Sequence, residues 1–397
     1  MCPVFAFNKN VTVKSGSENG WANLDTLTEL ETRFGKEEAA SLVKQYEDNY
    51  ITEYDFENVK NLGFNCIRIP FWYRNFMSDE DGTYITANDD DNPGFKRLDW
   101  ACEMADKCGL YLILDMHGCP GGQNGDHSCG KTGRNYLYYE EKYQNIMENL
   151  WVKIANRYKD RECVAAYDIM NEPYNNSTTS YNVISDYAAA AGSDKAKSNT
   201  NKIYDRMIKA IRKVDPYHVI SIQGIWAVSY LPNPVEMGEG WTDIMFSGHY
   251  YNSGTDLESK AKSLNWYRTK FGVGVAVYVG EFNPDAFSSP NFSTEFNNYN
   301  INYTVWNYKA YSPSEYGQNA KWGLCYRNLS EADLYAISKT SEAAGKFFDS
   351  WNDKVGFFHL GYLSDDEIKT FYQKLWTEKY LSTKNFTLNA TLQSYLQ

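Results

Sequence analysis

Two glutamates stand where they can do chemistry. Glu172 lies in DIMNEP (residues 168–173) and Glu281 in VGEF (279–282). Other polar groups occupy the same kind of place, at or near the end of a short apolar run. Arg68 lies in NCIRIPF (65–71), Asp115 and His117 close LYLILDMH (110–117), and Asn171 precedes Glu172. His249 and Tyr251 lie in HYY, and Trp306 in VWNYK (305–309). Taken singly, each has an ordinary explanation. A glutamate after a strand often sits near a helix N-terminus, and a strand arginine or histidine usually has a buried partner. The recurrence at the same end of successive runs gives the set its meaning. Pro173 adds a local constraint, because it stops the run and fixes the turn that aims Glu172.

Two carboxylates brought together from different strands suit the cleavage of a glycosidic bond. One protonates the leaving oxygen, and the other stabilises or traps the oxocarbenium-like centre. In enzymes that retain anomeric configuration the two stand about 5–5.5 Å apart. Arg68, His249 and Tyr251 can supply the donors that keep one carboxylate ionised, and its charge in turn raises the other's pKa.

Such convergence needs a scaffold in which strand ends share one face. The runs are 65–71, 110–117, 164–173, 218–224, 243–251, 275–282 and 301–309, most of them following a helix-like stretch. Alternation of this kind predicts an α/β fold with a parallel sheet covered by helices. Its natural closure is a (β/α)8 TIM barrel, whose active sites lie at the C-terminal strand ends. Seven runs leave the barrel one strand short, and the missing one should be the first. Either CPVFAF (2–7) serves or the recorded chain begins after it. The expected organisation is one catalytic domain over 1–397, with an irregular segment at 1–50 and a helical segment and tail at 325–397 packed on the barrel.

Composition narrows the function. The net charge of −12 disfavours nucleic acid, anionic lipid and polyanionic sugars, and is compatible with neutral glycans. The 33 Tyr, 20 Phe and 11 Trp offer faces for sugar rings, although a Tyr-rich genome would give the same count. No CxxC pair occurs among the eight cysteines, and the order H-x-C-x7-H-x-C at 117–129 fits no common zinc site, so no metal is expected. The Gly-rich stretch 117–133 lacks both the P-loop and the GxGxxG order. It reads as a long loop over the barrel mouth, with Gln123, Asn124, Asp126 and His127, together with Trp226 from a later loop, as candidate contacts. The expected cofactor set is empty, with no membrane insertion and a monomeric state. Compartment stays open between cytoplasmic, if the N-terminus is native, and secreted, if a signal peptide was trimmed.

The motifs together resemble glycoside hydrolase family five, of the retaining clan of barrel glycosidases. GFNCIRIPF is similar to its Gly-x-Asn-x-x-Arg-x-Pro motif, DIMNEP to its acid/base motif, VGEF to its nucleophile motif and HYY to its His-x-Tyr pair. LDMHGCPGGQNGDHSCG is similar to a loop of the exo-β-1,3-glucanase subgroup, with Asp126 standing where that loop carries an aromatic. The resemblance implies Glu172 as acid/base, Glu281 as nucleophile, Asn171 on the sugar 2-hydroxyl, and Arg68 and Tyr251 orienting Glu281. It further implies His117 and His249 lining the −1 site and Trp306 beneath the sugar. The implied substrate is a neutral β-linked glucan, first a β-1,3-glucan. The alternatives are a β-1,6-glucan, a glycolipid or small β-glucoside, and, from another class, a carbohydrate-binding barrel without catalysis.

Overall fold

The computed structural model describes residues 23–125, 127–131, 133–174, 194–224, 228–250, 257–270, 275–282, 292–312, 323–328, 333, 347–348, 357–358 and 364–396. Helices α1 (Asn23–Phe34), α2 (Lys36–Tyr50) and α3 (Glu53–Asn61) precede the first strand. Strands and helices then alternate: β1 (Cys66–Trp72), α4 (Pro93–Cys108), β2 (Tyr111–Gly118), α5 (Glu141–Tyr158), β3 (Val164–Asp168), α6 (Asp194–Arg212) and β4 (Val219–Gln223). They continue as β5 (Ile244–Tyr250), α7 (Leu257–Lys270), β6 (Ala276–Phe282), α8 (Phe292–Asn298) and β7 (Asn302–Tyr303). Beyond them lie β8 (Lys309–Ser312), β9 (Cys325–Asn328), α9 (Asp365–Leu375), α10 (Glu378–Leu381), β10 (Thr387–Leu388) and α11 (Ala390–Leu396). The chain divides into two compact units, residues 59–304 and residues 1–58 with 305–397.

The unit 59–304 is built on one sheet of seven strands in the order β1-β2-β3-β4-β5-β6-β7, every pair parallel. This is the α/β architecture and strand order of a TIM barrel. Sequence dictates it directly. Leu112 to Gly118 of β2 are all buried, as expected of a near-continuous apolar run covered on both faces. The helices carry their own stops. Asn92 accepts from the Gly94 amide with Pro93 in the first turn of α4, and Gly109 ends that helix at φ 63°. On α6 the residues Ile203, Tyr204, Met207, Ile208 and Ile211 are buried, the stripe that a 3.6-residue period turns to one side.

Two predicted runs end earlier than their apolar character suggests. β3 stops at Asp168, so Asn171 and Glu172 lie past the strand. The ladder is replaced there by other bonds: Ile169 N donates to Ser221 O, Asn171 N to Met116 O, and the Trp151 indole to Ile169 O. The run 301–309 pairs with β6 over Asn302 and Tyr303 only. Thr304 takes Val279 O with its amide and Gly280 O with its hydroxyl, and this closes the pairing. Lys309–Ser312 belongs instead to a three-stranded sheet of order β10-β9-β8. The segment 2–7, a candidate first strand, lies outside the described residues.

The stretch 1–50 reads as irregular in the sequence, yet its described part is α1 and α2. Leu30, Ala39, Leu42 and Tyr46 recur at helical spacing and pack with Ile368, Phe371, Tyr372, Leu375 and Trp376 into one buried cluster. That burial, rather than local propensity, holds α1 and α2 in place. In the C-terminal segment the expected helices are present, α9 with a reciprocal Ser364–Glu367 capping box. Strands β9 and β10 lie among them. Among the described residues no helix is long and apolar enough to cross a membrane.

Candidate active site

The ends of β1, β2, β5 and β6 and the segment after β3 bring seven of the residues singled out in the sequence into one polar cluster: Arg68, Asp115, His117, Asn171, Glu172, His249 and Glu281. Arg68 is its hub. Its Nη1 donates to Glu281 Oε1 at 2.6 Å, its Nε to Asp168 Oδ2 at 2.9 Å and its Nη2 to Asn171 Oδ1 at 2.8 Å. Asp115 Oδ1 lies 3.0 Å from Nη2, and the Arg68 side chain is only 4% exposed. Burial pulls the guanidinium's pKa down, but Asp115, Asp168 and Glu281 drive it well above the ordinary arginine value. One cation among these carboxylates leaves excess negative charge. Burial accordingly pushes Asp115 up to about 7 and raises Asp168, each against the pull of Arg68.

The hydrogen bonds fix orientation as well as charge. Since Asn171 Oδ1 accepts from Arg68, its amide nitrogen must face His117 Nε2, 3.2 Å away. His117 Nε2 is then an acceptor, and Nδ1 carries the proton toward Asp115 Oδ2 at 2.7 Å. Burial lowers both His117 and His249 to about 4, so each imidazole is neutral at pH 7. His249 stands between the two glutamates, its Nδ1 3.0 Å from Glu172 Oε1 and 3.5 Å from Glu281 Oε2.

Glu172, His249 and Glu281 each present one atom within 4.8 Å of the other two. The glutamates differ in environment: the Glu172 side chain is 38% exposed and that of Glu281 only 5%. Glu172 also has φ 42°, a left-handed backbone uncommon for a non-glycine residue and unfavourable before a proline. Two glutamines grip the peptide that carries this strain. Gln123 Nε2 donates to Asn171 O at 2.8 Å, and Glu172 N donates to Gln223 Oε1 at 2.9 Å.

The spacing of Glu172, His249 and Glu281 would suit a divalent cation, but Arg68 already holds Glu281 Oε1 and repels a second cation. The arrangement is suited instead to proton transfer and to attack by a carboxylate on an electrophilic carbon.

The remaining predicted residues are placed differently. Gln123 and Asn124 are buried rather than open to a ligand. The Gln123 amide is engaged by His117 O, Asn171 O and Cys119 N, and Asn124 Nδ2 donates to Ser128 Oγ. They shape the loop from within. His127 begins a short turn, His127–Cys129. Asp126, Trp226 and Tyr251 lie outside the described residues. Trp306 falls in the other unit, with a cis peptide to Asn307.

Sequence reasoning assigned no role to Asp168, Gln223 or Tyr278. Gln223 Nε2 reaches both oxygens of Asp168 at 3.0 and 2.9 Å, and the Tyr278 hydroxyl reaches Oδ2 at 3.2 Å. A signal was present: a polar residue inside an apolar strand run must be burying a hydrogen-bonding group, which requires a partner.

The profile of the cellulase family, glycosyl hydrolase family 5, matches residues 22–312. A protein of Phanerodontia chrysosporium named beta-xylosidase is 28% identical over 255 residues, 61% of this chain and 48% of its own. "Probable glucan 1,3-beta-glucosidase A" of Aspergillus fumigatus is 24% identical over 271 residues, 66% of this chain and 59% of its own. The chain thus spans roughly half the length of these curated relatives. The crystal structure of rutinosidase from Aspergillus niger shares the fold, with a TM-score of 0.53 and 18% identity over 76% of this chain and 87% of that one.

Proposed function

Because the chain belongs to glycosyl hydrolase family 5, we propose that it hydrolyses a neutral β-glucoside with retention of configuration, a β-1,3-glucan before other substrates. The observation that supports retention is the approach of Glu172 and Glu281 to within 4.8 Å. At that range a carboxylate can reach the anomeric carbon, whereas inversion needs about 6.5–9.5 Å to admit a water.

In this reading Glu172, the more exposed of the two, protonates the leaving oxygen. Glu281 attacks the anomeric carbon, and the aglycone departs with the Glu172 proton. Water then enters; Glu172 removes its proton as the oxygen attacks, the bond to Glu281 breaks and the sugar leaves with its original configuration. Arg68 orients Glu281 and balances its charge, with Tyr251 assisting. His117 and His249 line the −1 site as neutral imidazoles and Asn171 holds the 2-hydroxyl. No metal or organic cofactor takes part, and the chain acts as one catalytic domain and as a monomer.

The β-1,3 preference rests on the loop 114–130 and on the name of the Aspergillus fumigatus relative. The test is a panel of laminarin, a β-1,6-glucan, a glucosylated lipid and aryl β-glucosides and β-xylosides, with the anomer first released followed by NMR. Release of β-glucose from laminarin is the expected result. Binding without turnover on every member would leave the non-catalytic reading standing, and release of the α-anomer would remove the double displacement.

A further inference from the structure

We propose that Gln223 is a positioning residue for the acid/base, holding the Glu172 peptide in its left-handed conformation and tying it to the Arg68 hub. The proposal rests on the reading of Glu172 as acid/base.

The geometry leaves Gln223 no freedom. It is 2% exposed at the end of β4, and its backbone is closed on the Tyr204 hydroxyl, which accepts from Gln223 N at 3.0 Å and donates to Gln223 O at 2.8 Å. Its side chain meets two partners of opposite demand. The Glu172 amide can only donate, so it must meet Oε1; the Asp168 carboxylate accepts, so it must meet Nε2. Amide orientation is thereby dictated by the partners themselves.

The strained peptide is gripped from both sides. Gln123 donates to its carbonyl and Gln223 accepts from its N–H, so the plane between Asn171 and Glu172 cannot rotate. Rotation would relieve φ 42° and swing the Glu172 carboxyl away from His249 Nδ1 and from Glu281. Strain of this kind persists only where surroundings over-determine it. Gln223 also reaches Asp168, which accepts from Arg68 Nε, whose Nη1 holds Glu281. The two catalytic carboxylates therefore share one chain of bonds, and Gln223 is its link on the Glu172 side.

A glutamate at this position is nearly the same shape but cannot donate to Asp168 unless protonated. Gln223→Glu should therefore work at low pH and lose activity at a lower pH than the wild type as the pH rises. Gln223→Met removes both bonds at every pH.

The experiment compares kcat/KM for wild type, Gln223→Glu and Gln223→Met on 2,4-dinitrophenyl and phenyl β-glucosides across pH, with thermal unfolding of each. The dinitrophenolate leaves without a proton, so a misplaced acid harms the phenyl substrate more. The expected result is a loss of about 10- to 100-fold on the phenyl glucoside for Gln223→Met, with a several-fold smaller loss on the dinitrophenyl glucoside. The second expectation is an alkaline limb moved to lower pH in Gln223→Glu. Equal losses on both substrates, or a wild-type pH profile in Gln223→Glu, overturn the proposal. Should Gln223→Met fail to fold, the Gln223→Glu profile decides. Glu172→Ala serves as the control for the underlying reading: it should retain turnover of the dinitrophenyl glucoside and form β-glucosyl azide with azide. Failure of that control removes the acid/base assignment whatever Gln223 does.

Discussion

Replacing Arg68 by Met tests how the site tolerates its own charge. The guanidinium bonds Glu281, Asp168 and Asn171 at 2.6, 2.9 and 2.8 Å and pairs with Asp115 at 3.0 Å, almost out of reach of water. Methionine keeps the apolar stem and removes the cation on which this hydrogen-bonded set converges. Taking one partner from a buried ion cluster costs about 3–5 kcal/mol, because the charges left behind lose their counter-ion. The loss should depend on pH, with a definite sign. Without Arg68 the folded-state carboxyl pKa values rise above their unfolded values, so the folded state binds more protons. Stability then falls as pH rises from about 4 through the raised values, by about 1.4 kcal/mol for every tenfold gain in a carboxyl's proton affinity on folding. Wild type already shows the tendency at Asp115, held at about 7 by burial even with Arg68 present. Urea unfolding of wild type and Arg68→Met at pH 5, 6.5 and 8 should give a deficit that widens toward pH 8. Activity should be lost, since the bond from Arg68 Nη1 that orients Glu281 for attack is gone. A deficit below about 1 kcal/mol at pH 8, or one equal at all three values, would refute the reasoning. Arg68→Lys keeps a charge but not the fork, and should fall between the two.

Glu281→Ala should abolish turnover of laminarin and Glu172→Ala should cut it severely; azide should partly rescue Glu172→Ala on an activated glucoside with retention, whereas with Glu281→Ala any azide product should be the inverted α-glucosyl azide, and full activity in either variant on laminarin removes the assignment. His249 is driven down to about 4 from an ordinary 6.5, so the folded state binds fewer protons and its contribution to stability is lost as pH falls from 6.5 to 4. The unfolding free energy of wild type relative to His249→Gln should drop across that window by up to about 3 kcal/mol, and a flat difference argues against a neutral buried imidazole. Prolonged chelation should leave hydrolysis unchanged, because the buried Arg68 guanidinium on Glu281 repels a second cation there; loss of activity restored by zinc or manganese sinks that inference. Trp376→Ala empties the centre of the cluster that holds α1, α2 and α9 together, and should lower stability by about 3–5 kcal/mol in a thermal or urea melt.

The contrast between Glu281 and Glu172 shows what the sequence can and cannot reveal about such a site. Glu281 sits inside β6, so the apolar run is enough to place it in a strand, although the pairing with β5 slips at Gly280 and its face does not follow from alternation alone. Glu172 lies past the end of β3, where no periodicity operates. Its direction depends on a left-handed backbone and on two glutamines that lie 48 and 51 residues from the groups they hold, one on each side in sequence. Gln223 reads in the sequence only as a polar residue at the end of a run, and Gln123 reads as a loop contact for a ligand rather than as a brace for the backbone. The same limit explains β7: the run 301–309 is apolar enough for a longer strand, but Thr304 takes the next carbonyl of β6 with its hydroxyl. It also explains α1 and α2, whose partners Ile368 to Trp376 lie at the far end of the chain. Periodicity makes legible the elements that bury a face against their neighbours in sequence. What aims the acid is a pairing of donors and acceptors across the fold, and that pairing appears only when Asp168, which can only accept while ionised, is found beside Gln223.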